Sequence, residues 1–151
     1  MTIRKALKKD VPFIVEMIAD DELGRLRENY KDPLPKEYYN AFENIAADSN
    51  EELMVMENDK GKIIATLQLS FIRYLTYQGG IRAQIEAVRI HNEHRGKGLG
   101  KIFFEWAINR AKIRGAHVVQ LTTDKKRPKA LRFYEKLGFK ASHEGMKLHL
   151  S

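Results

Sequence analysis

The chain has 151 residues, a net charge of +7 and no cysteine. The missing cysteines exclude disulfides, zinc–thiolate centres and a cysteine nucleophile, while the length and a hydrophobic fraction of 43% suit a single domain, 1–151, with its own core. The positive balance favours a polyanionic partner, and with no run of about 18 apolar residues the expectation is a soluble, cytoplasmic protein that makes no membrane contact.

In chain order, Ile3–Leu7 reads as a short strand. Asp10 is placed to cap a helix with Pro12 in its first turn and Ile14, Met17 and Ile18 along one stripe. Lys31-Asp32-Pro33-Leu34-Pro35 breaks the chain. Helical spacing resumes over Lys36–Ala47, with Tyr39, Phe42, Ile45 and Ala46 on one face. Leu53–Glu57 is a strand, Asn58-Asp59-Lys60-Gly61 a hairpin turn, and Lys62–Tyr74 a long strand that ends before Gly79-Gly80. Ile81–Ile90 is the next strand. A helix from Leu99 to Arg114 is expected to bury Leu99, Ile102, Phe103, Trp106 and Ile113, and Gly115 stops it. His117–Thr123 is a β-rich run, Arg127-Pro128 starts a last helix that Gly138 ends, and Phe139–Ala141 with Met146–Leu150 suggests a final hairpin. The order predicts a mixed α/β sheet with helices on both faces.

Between the strand Ile81–Ile90 and the helix at Leu99 lies Glu93-His94-Arg95-Gly96-Lys97-Gly98-Leu99-Gly100-Lys101. A glycine-rich turn that opens a helix gathers backbone N–H groups at the positive end of the helix dipole, and Arg95, Lys97 and Lys101 add full charges. This is a seat for a phosphate or pyrophosphate. A nucleoside-triphosphate loop is excluded, because Gly100-Lys101 is followed by Ile102 where G-x-x-x-x-G-K-[ST] needs a hydroxyl. The dinucleotide fingerprint G-x-G-x-x-G also fails, since Phe103 stands three residues after Gly100. What remains is R-x-x-G-x-G, met by Arg95, Gly98 and Gly100. A second basic cluster, Lys125-Lys126-Arg127 with Lys129, also stands at a helix start. Two separate clusters suit a compact anionic cofactor better than a long duplex, so no nucleic-acid partner is expected.

Within Ile81–Ile90 the apolar phase changes. Ile81, Ala83, Ile85 and Ala87 alternate with Arg82, Gln84 and Glu86, after which Val88 and Ile90 are apolar and Arg89 polar. Strand periodicity is two, so a one-residue slip must be absorbed. Either a β-bulge near Ala87–Val88 absorbs it, freeing backbone N–H groups for an amide-rich ligand arm, or both faces of Val88–Ile90 are simply buried.

Arg95-Gly96-Lys97-Gly98-Leu99-Gly100 resembles the acetyl-CoA pyrophosphate loop of the GNAT superfamily of N-acetyltransferases. Phe133-Tyr134-Glu135-Lys136-Leu137-Gly138-Phe139 resembles the segment on that superfamily's last helix, and the order and intervening helix–strand unit also match. The resemblance implies a mixed, mostly antiparallel sheet of six to seven strands, splayed between the fourth and fifth, here Ile81–Ile90 and His117–Thr123, with acetyl-CoA in the gap. It implies cofactor contacts from Ala87, Val88, Arg89 and Ile90, from Arg95 through Lys101, and from Phe133, Tyr134 and Lys136. Many members carry an asparagine seven residues before the tyrosine. Arg127 occupies that position here, and either Arg127 or Lys129 meets a CoA phosphate instead or both are only solvated.

Acetyl transfer to an amine has its own requirements. An alkylammonium of pKa about 10.4 must lose a proton before it attacks, a developing oxyanion needs an N–H donor, and a leaving thiolate gains from protonation. Glu86, nine residues before Arg95 and on the strand lining the gap, is the candidate base; its alternative is an ion pair with Arg82 or a lysine. Tyr134 is the candidate acid by resemblance, and the Val88 N–H is the oxyanion donor if the bulge exists. The five histidines, His91, His94, His117, His143 and His149, have no spacing that marks a metal site, and no metal is expected. The expected acceptor is a primary amine of a small molecule; a protein N-terminus or lysine, or a non-catalytic acyl-CoA-binding sensor, are the alternatives. A homodimer is expected by analogy alone.

Overall fold

Five strands form one sheet in the computed structural model, which describes residues 1–151. The strands are β1 (Thr2–Lys5), β2 (Glu51–Glu57), β3 (Ile63–Arg73), β4 (Ile81–Ile90) and β5 (Val118–Gln120), in the spatial order β1-β2-β3-β4-β5. The helices are α1 (Val11–Ala19), α2 (Gly24–Arg27), α3 (Lys36–Ala47), the single turn α4 (Thr76–Gly79), α5 (Leu99–Ile113) and α6 (Pro128–Lys136). The chain falls into two compact units, residues 1–120 and residues 121–151. No helix is long and apolar enough to cross a membrane.

In the first unit β1 to β4 pair antiparallel, and β5 pairs with β4 in parallel. Successive strand residues face opposite sides, and β2 shows what lies on each. Val55 packs with Ile14 and Met17 of α1 and with Ile63 of β3. Glu52, three residues earlier and so on the opposite face, receives Arg110 and Arg114 from the α5 region. Helices therefore cover both faces, and Val55, Met56, Ala65, Leu67 and Leu69 have no accessible surface. A sheet buried on both sides favours continuous apolar runs, as in Leu53–Met56 of β2, whereas in β3 Thr66, Gln68 and Ser70 alternate with Leu67, Leu69 and Phe71.

Several elements differ from the sequence expectation. The sheet has five strands, not six to seven. Residues 139–150 form no hairpin: Met146, Leu148 and Leu150 alternate as a strand should but are 86–95% exposed, so no apolar burial drives pairing. The buried stripe of α5 is Leu99, Phe103, Phe104, Ala107 and Ala111. Ile102 and Ile113, expected inside, are exposed, and Trp106 is half-buried; a stripe at i, i+4, i+8 and i+12 turns small alanines toward the sheet and permits close approach. Asp10 does not cap α1. It closes the preceding 3₁₀ turn, accepting the Leu7 N–H at 2.7 Å and the Arg4 guanidinium at 2.7 and 3.1 Å.

In the second unit, α6 opens with Pro128 and ends at Leu137, whose N–H bonds the Phe133 and Tyr134 carbonyls. Gly138 follows at φ 100°, a left-handed helix end that favours glycine. The Phe139 N–H returns to the Tyr134 carbonyl at 3.1 Å, and the Tyr134 ring lies between Phe133 and Phe139 with centroids 5.6 and 6.1 Å away.

Candidate active site

The bulge inferred from the phase change is present. On β3, Thr66 faces Arg89 and Gln68 faces Glu86, so one residue of β3 spans two of β4, Ala87 and Val88. Ala87 takes φ 53°, a left-handed conformation that costs a non-glycine residue on the order of 1–3 kcal/mol and survives only where the surroundings impose it. Ala87 is exposed and Val88 half-buried, so burial of both faces does not explain the pattern.

The β4–β5 pairing covers only Arg82–Val118, Ala83–Val119 and Gln84–Gln120, the last reinforced by a side-chain hydrogen bond of 2.6 Å. From Ile85 onward β4 has no strand partner on that side. The bulge thus sits on a strand edge with which no other strand pairs. Glu86, just before it, is exposed, and no ion pair with Arg82 or a lysine holds it.

After Ile90 the chain makes a 3₁₀ turn, Asn92–His94, and then the glycine loop. Gly96 and Gly98 adopt φ 76° and 78°. A Cβ at either would meet no atom of the chain within 4 Å, so glycine is there for its backbone freedom and the open space before it admits a ligand. Gly98 is the residue before α5, and its carbonyl accepts the Ile102 N–H at 3.3 Å. The N–H groups of Leu99, Gly100 and Lys101 therefore have no partner within the helix and point out of its N-terminus. Leu99 anchors the turn in the core, Lys97 is exposed, and Lys101 is 3.8 Å from Glu105. Backbone donors, a helix dipole and cations in an open cradle match a pyrophosphate.

Arg95 is held beside this cradle. Its Nε donates to the Ile90 carbonyl at 3.1 Å, and one terminal nitrogen lies 3.8 Å from the Asp20 carboxylate. Arg89 pairs with Asp21 at 3.1 Å and donates to the Val88 carbonyl at 2.8 Å. Asp20 and Asp21 lie in the turn between α1 and α2. Asp21 also accepts the Gly24 N–H, and a Cβ on Gly24 would come within 2.0 Å of the Ile18 carbonyl. These acidic residues were visible in the sequence only as mixed charge; their partners lie about 70 residues away, beyond any periodic signal. A cavity of about 270 Å³ opens beside them, lined by Glu16, Met17, Ala19, Asp20, Tyr30, His91 and Asn92.

In the second unit, Tyr134 and Phe133 are half-buried, while Lys136 and Lys129 are exposed. Arg127 stands just before α6 and receives the Ala130 N–H on its carbonyl at 3.1 Å.

The profile of the acetyltransferase (GNAT) family matches residues 16–139, and the chain belongs to that family. A crystal structure from Bacillus halodurans C-125, described as a transcriptional regulator, is 56% identical over 99% of both chains with a TM-score of 0.95. A structure from Clostridium acetobutylicum, described as a predicted acetyltransferase with acetyl-CoA, is 27% identical over 99% of this chain and 96% of the other, with a TM-score of 0.75. A curated glucosamine 6-phosphate N-acetyltransferase of Trypanosoma brucei brucei is 33% identical over 90 residues, which span 60% of this chain and 59% of that relative.

Proposed function

We propose that the protein is an acetyl-CoA-dependent N-acetyltransferase that acts on a primary amine of a small molecule by direct transfer. The observation that carries this reading is the continuity of β4: an exposed carboxylate, a bulge on an unpaired strand edge, and a phosphate-binding loop follow one another along a single segment. The loop's N–H groups from Leu99 to Lys101, with Arg95 and Lys97, hold the pyrophosphate. Arg127 and Lys129 contribute charge to a further phosphate. The bulged edge from Ala87 to Ile90 offers backbone groups to the pantetheine arm.

Acetyl-CoA supplies the activated acyl group as a thioester. Glu86 takes the proton of the acceptor ammonium, directly or through water, and the freed nitrogen forms its bond to the acyl carbon. The Val88 N–H, outside the β3 ladder, donates to the oxygen that gains charge. As the carbon–sulfur bond breaks, the nitrogen loses its second proton to solvent, and Tyr134 gives its phenolic proton to the departing sulfur and recovers one from solvent. Glu86 releases the proton it took, so that one proton is freed per turnover. Phe133 and Lys136, on the same helix as Tyr134, are the further cofactor contacts that the family resemblance implies. The products are the amide and free CoA.

The cavity beside α1 is the size of a small metabolite, and the carboxylate of Glu16 suits a cationic amine. The curated relative's amino-sugar phosphate acceptor belongs to the same chemical class. A second reading, an acyl-CoA-responsive regulator, draws support from the description of the 56% identical relative. It keeps the cofactor seat and needs no turnover.

The test is release of free CoA from acetyl-CoA across amines, amino acids, amino-sugar phosphates and peptides. Acceptor-dependent release with small amines, lost by about a hundredfold in Glu86→Gln, is expected. Release with peptides alone would transfer the activity to a protein acceptor. Tight CoA binding with no release would favour the regulator.

A further inference from the structure

We infer that the turn joining β4 to the glycine loop is a transition-metal site built from His91, Glu93 and His94. One donor atom of each, an imidazole nitrogen from His91 and His94 and a carboxylate oxygen from Glu93, lies within 4.8 Å of the other two. The local fold creates this gathering. The His94 N–H bonds the His91 carbonyl at 2.8 Å, closing a 3₁₀ turn. Three residues per turn bring position i+3 over position i, so the two imidazoles share one side. Their rings meet edge-on with centroids 5.9 Å apart. Glu93, between them in sequence, projects its carboxylate to the same place.

Linear spacing gave no reason to expect this. The familiar metal spacings place ligands at i and i+4 on a helix or across a hairpin, whereas H-x-E-H chelates only when the backbone tightens into this turn.

The donor set decides the class of ion. Two imidazoles and one carboxylate suit zinc, nickel, cobalt or copper, and not the oxygen-seeking calcium or magnesium. Within the turn His91 Nδ1 accepts the Glu93 N–H at a long 3.3 Å, which holds the His91 ring against the Glu93 backbone. Glu93 is occupied by Lys62 Nζ at 2.8 Å, with both side chains substantially exposed. Solvent screens such an exposed pair and leaves it weak. Lys62 is therefore a competitor that a divalent cation displaces, and three ligands from one turn leave the remaining coordination positions to water. Bound metal would cross-link the turn immediately ahead of Arg95.

The experiment uses the full chain without a polyhistidine tag, stripped with chelator, then titrated calorimetrically with Zn²⁺ and Ni²⁺ and followed by Co²⁺ absorption. One ion per chain is expected. His91→Ala and His94→Ala should each weaken binding about tenfold or more, with circular dichroism unchanged. Lys62→Met should tighten it severalfold by releasing Glu93. His143→Ala and His149→Ala should leave it intact. The proposal is overturned if wild type binds no more tightly than the His91→Ala/His94→Ala double variant, if binding follows His143 or His149, or if Ca²⁺ and Mg²⁺ bind as well as Zn²⁺.

Discussion

Arg95, the first residue of the glycine loop, faces the carboxylate of Asp20 at 3.8 Å and reaches its backbone carbonyl at 3.5 Å. A guanidinium proposed to hold a pyrophosphate is thus shared with the turn between α1 and α2. Loop binding must draw Arg95 away from Asp20 or leave it half-neutralised. Asp20→Asn should therefore raise CoA affinity. Arg95 is 50% and Asp20 35% exposed, so solvent screening limits the gain to roughly two- to fivefold. Calorimetry at low and at about 0.5 M salt checks it, since the gain should shrink as charges are screened. Equal affinity of both proteins at low salt would show that Arg95 does not trade partners.

Gly98 combines a left-handed φ of 78° with open space where a side chain would project. Gly98→Ala meets no clash and suffers only the conformational cost, about 1–2 kcal/mol. Gly98→Trp fills the cradle, so CoA binding should vanish while circular dichroism still reports a folded chain. Undiminished CoA affinity in Gly98→Trp would remove the loop from the cofactor site.

Much of this arrangement was legible because it is local. The bulge could be read from a one-residue phase slip in β4, and the glycine loop from residues that tolerate φ above zero before a helical pattern. The bounds of β4 and α3 follow their periodicity residue for residue. Tertiary partners were not legible. The buried stripe of α5 differs from the largest apolar residues because packing against the sheet selects Ala107 and Ala111 over Ile113. Alternation over Met146–Leu150 signals a strand only if another edge receives it. The short α2 carries too few residues for a period, and its Gly24 is required by contact with Ile18 rather than by a turn signal. Asp20, Asp21 and the His91–Glu93–His94 cluster acquire meaning only from distances.

Tyr134 lies between Phe133 and Phe139, and removing its hydroxyl keeps the ring in that aromatic group. Tyr134→Phe should therefore preserve the fold and acetyl-CoA affinity while lowering kcat about ten- to hundredfold. If the hydroxyl protonates the sulfur, the loss should diminish with acyl donors whose leaving thiol has a lower pKa. Wild-type turnover in Tyr134→Phe would dismiss it as the acid.

Glu52 is 3% exposed and receives three guanidinium hydrogen bonds, from Arg110 at 2.9 and 2.7 Å and from Arg114 at 2.9 Å. The Arg110 hydrogen bond holds its carboxyl below the ordinary carboxylate value against the opposing effect of burial. Asp10 is also held low: burial would raise it, but hydrogen bonds from Arg4 and the Leu7 N–H outweigh that. A carboxyl lowered in the folded state stabilises the fold above its unfolded pKa, about 4.3 for Glu, and that stabilisation is lost as pH falls through the folded value. Stability set by these groups should be level from pH 7 to about 5 and decline below about 4.5. Glu52→Gln leaves two arginines facing a neutral amide. Breaking a fully buried pair costs about 3–5 kcal/mol, and with the arginine side chains 32% and 27% exposed about 2 kcal/mol is expected. Urea unfolding at pH 7 and pH 4 measures both effects. The variant should lose stability at pH 7 and show a shallower acid decline than wild type. A loss below about 0.5 kcal/mol at pH 7, within the range of an ordinary surface substitution, would show that the triad does not stabilise the fold.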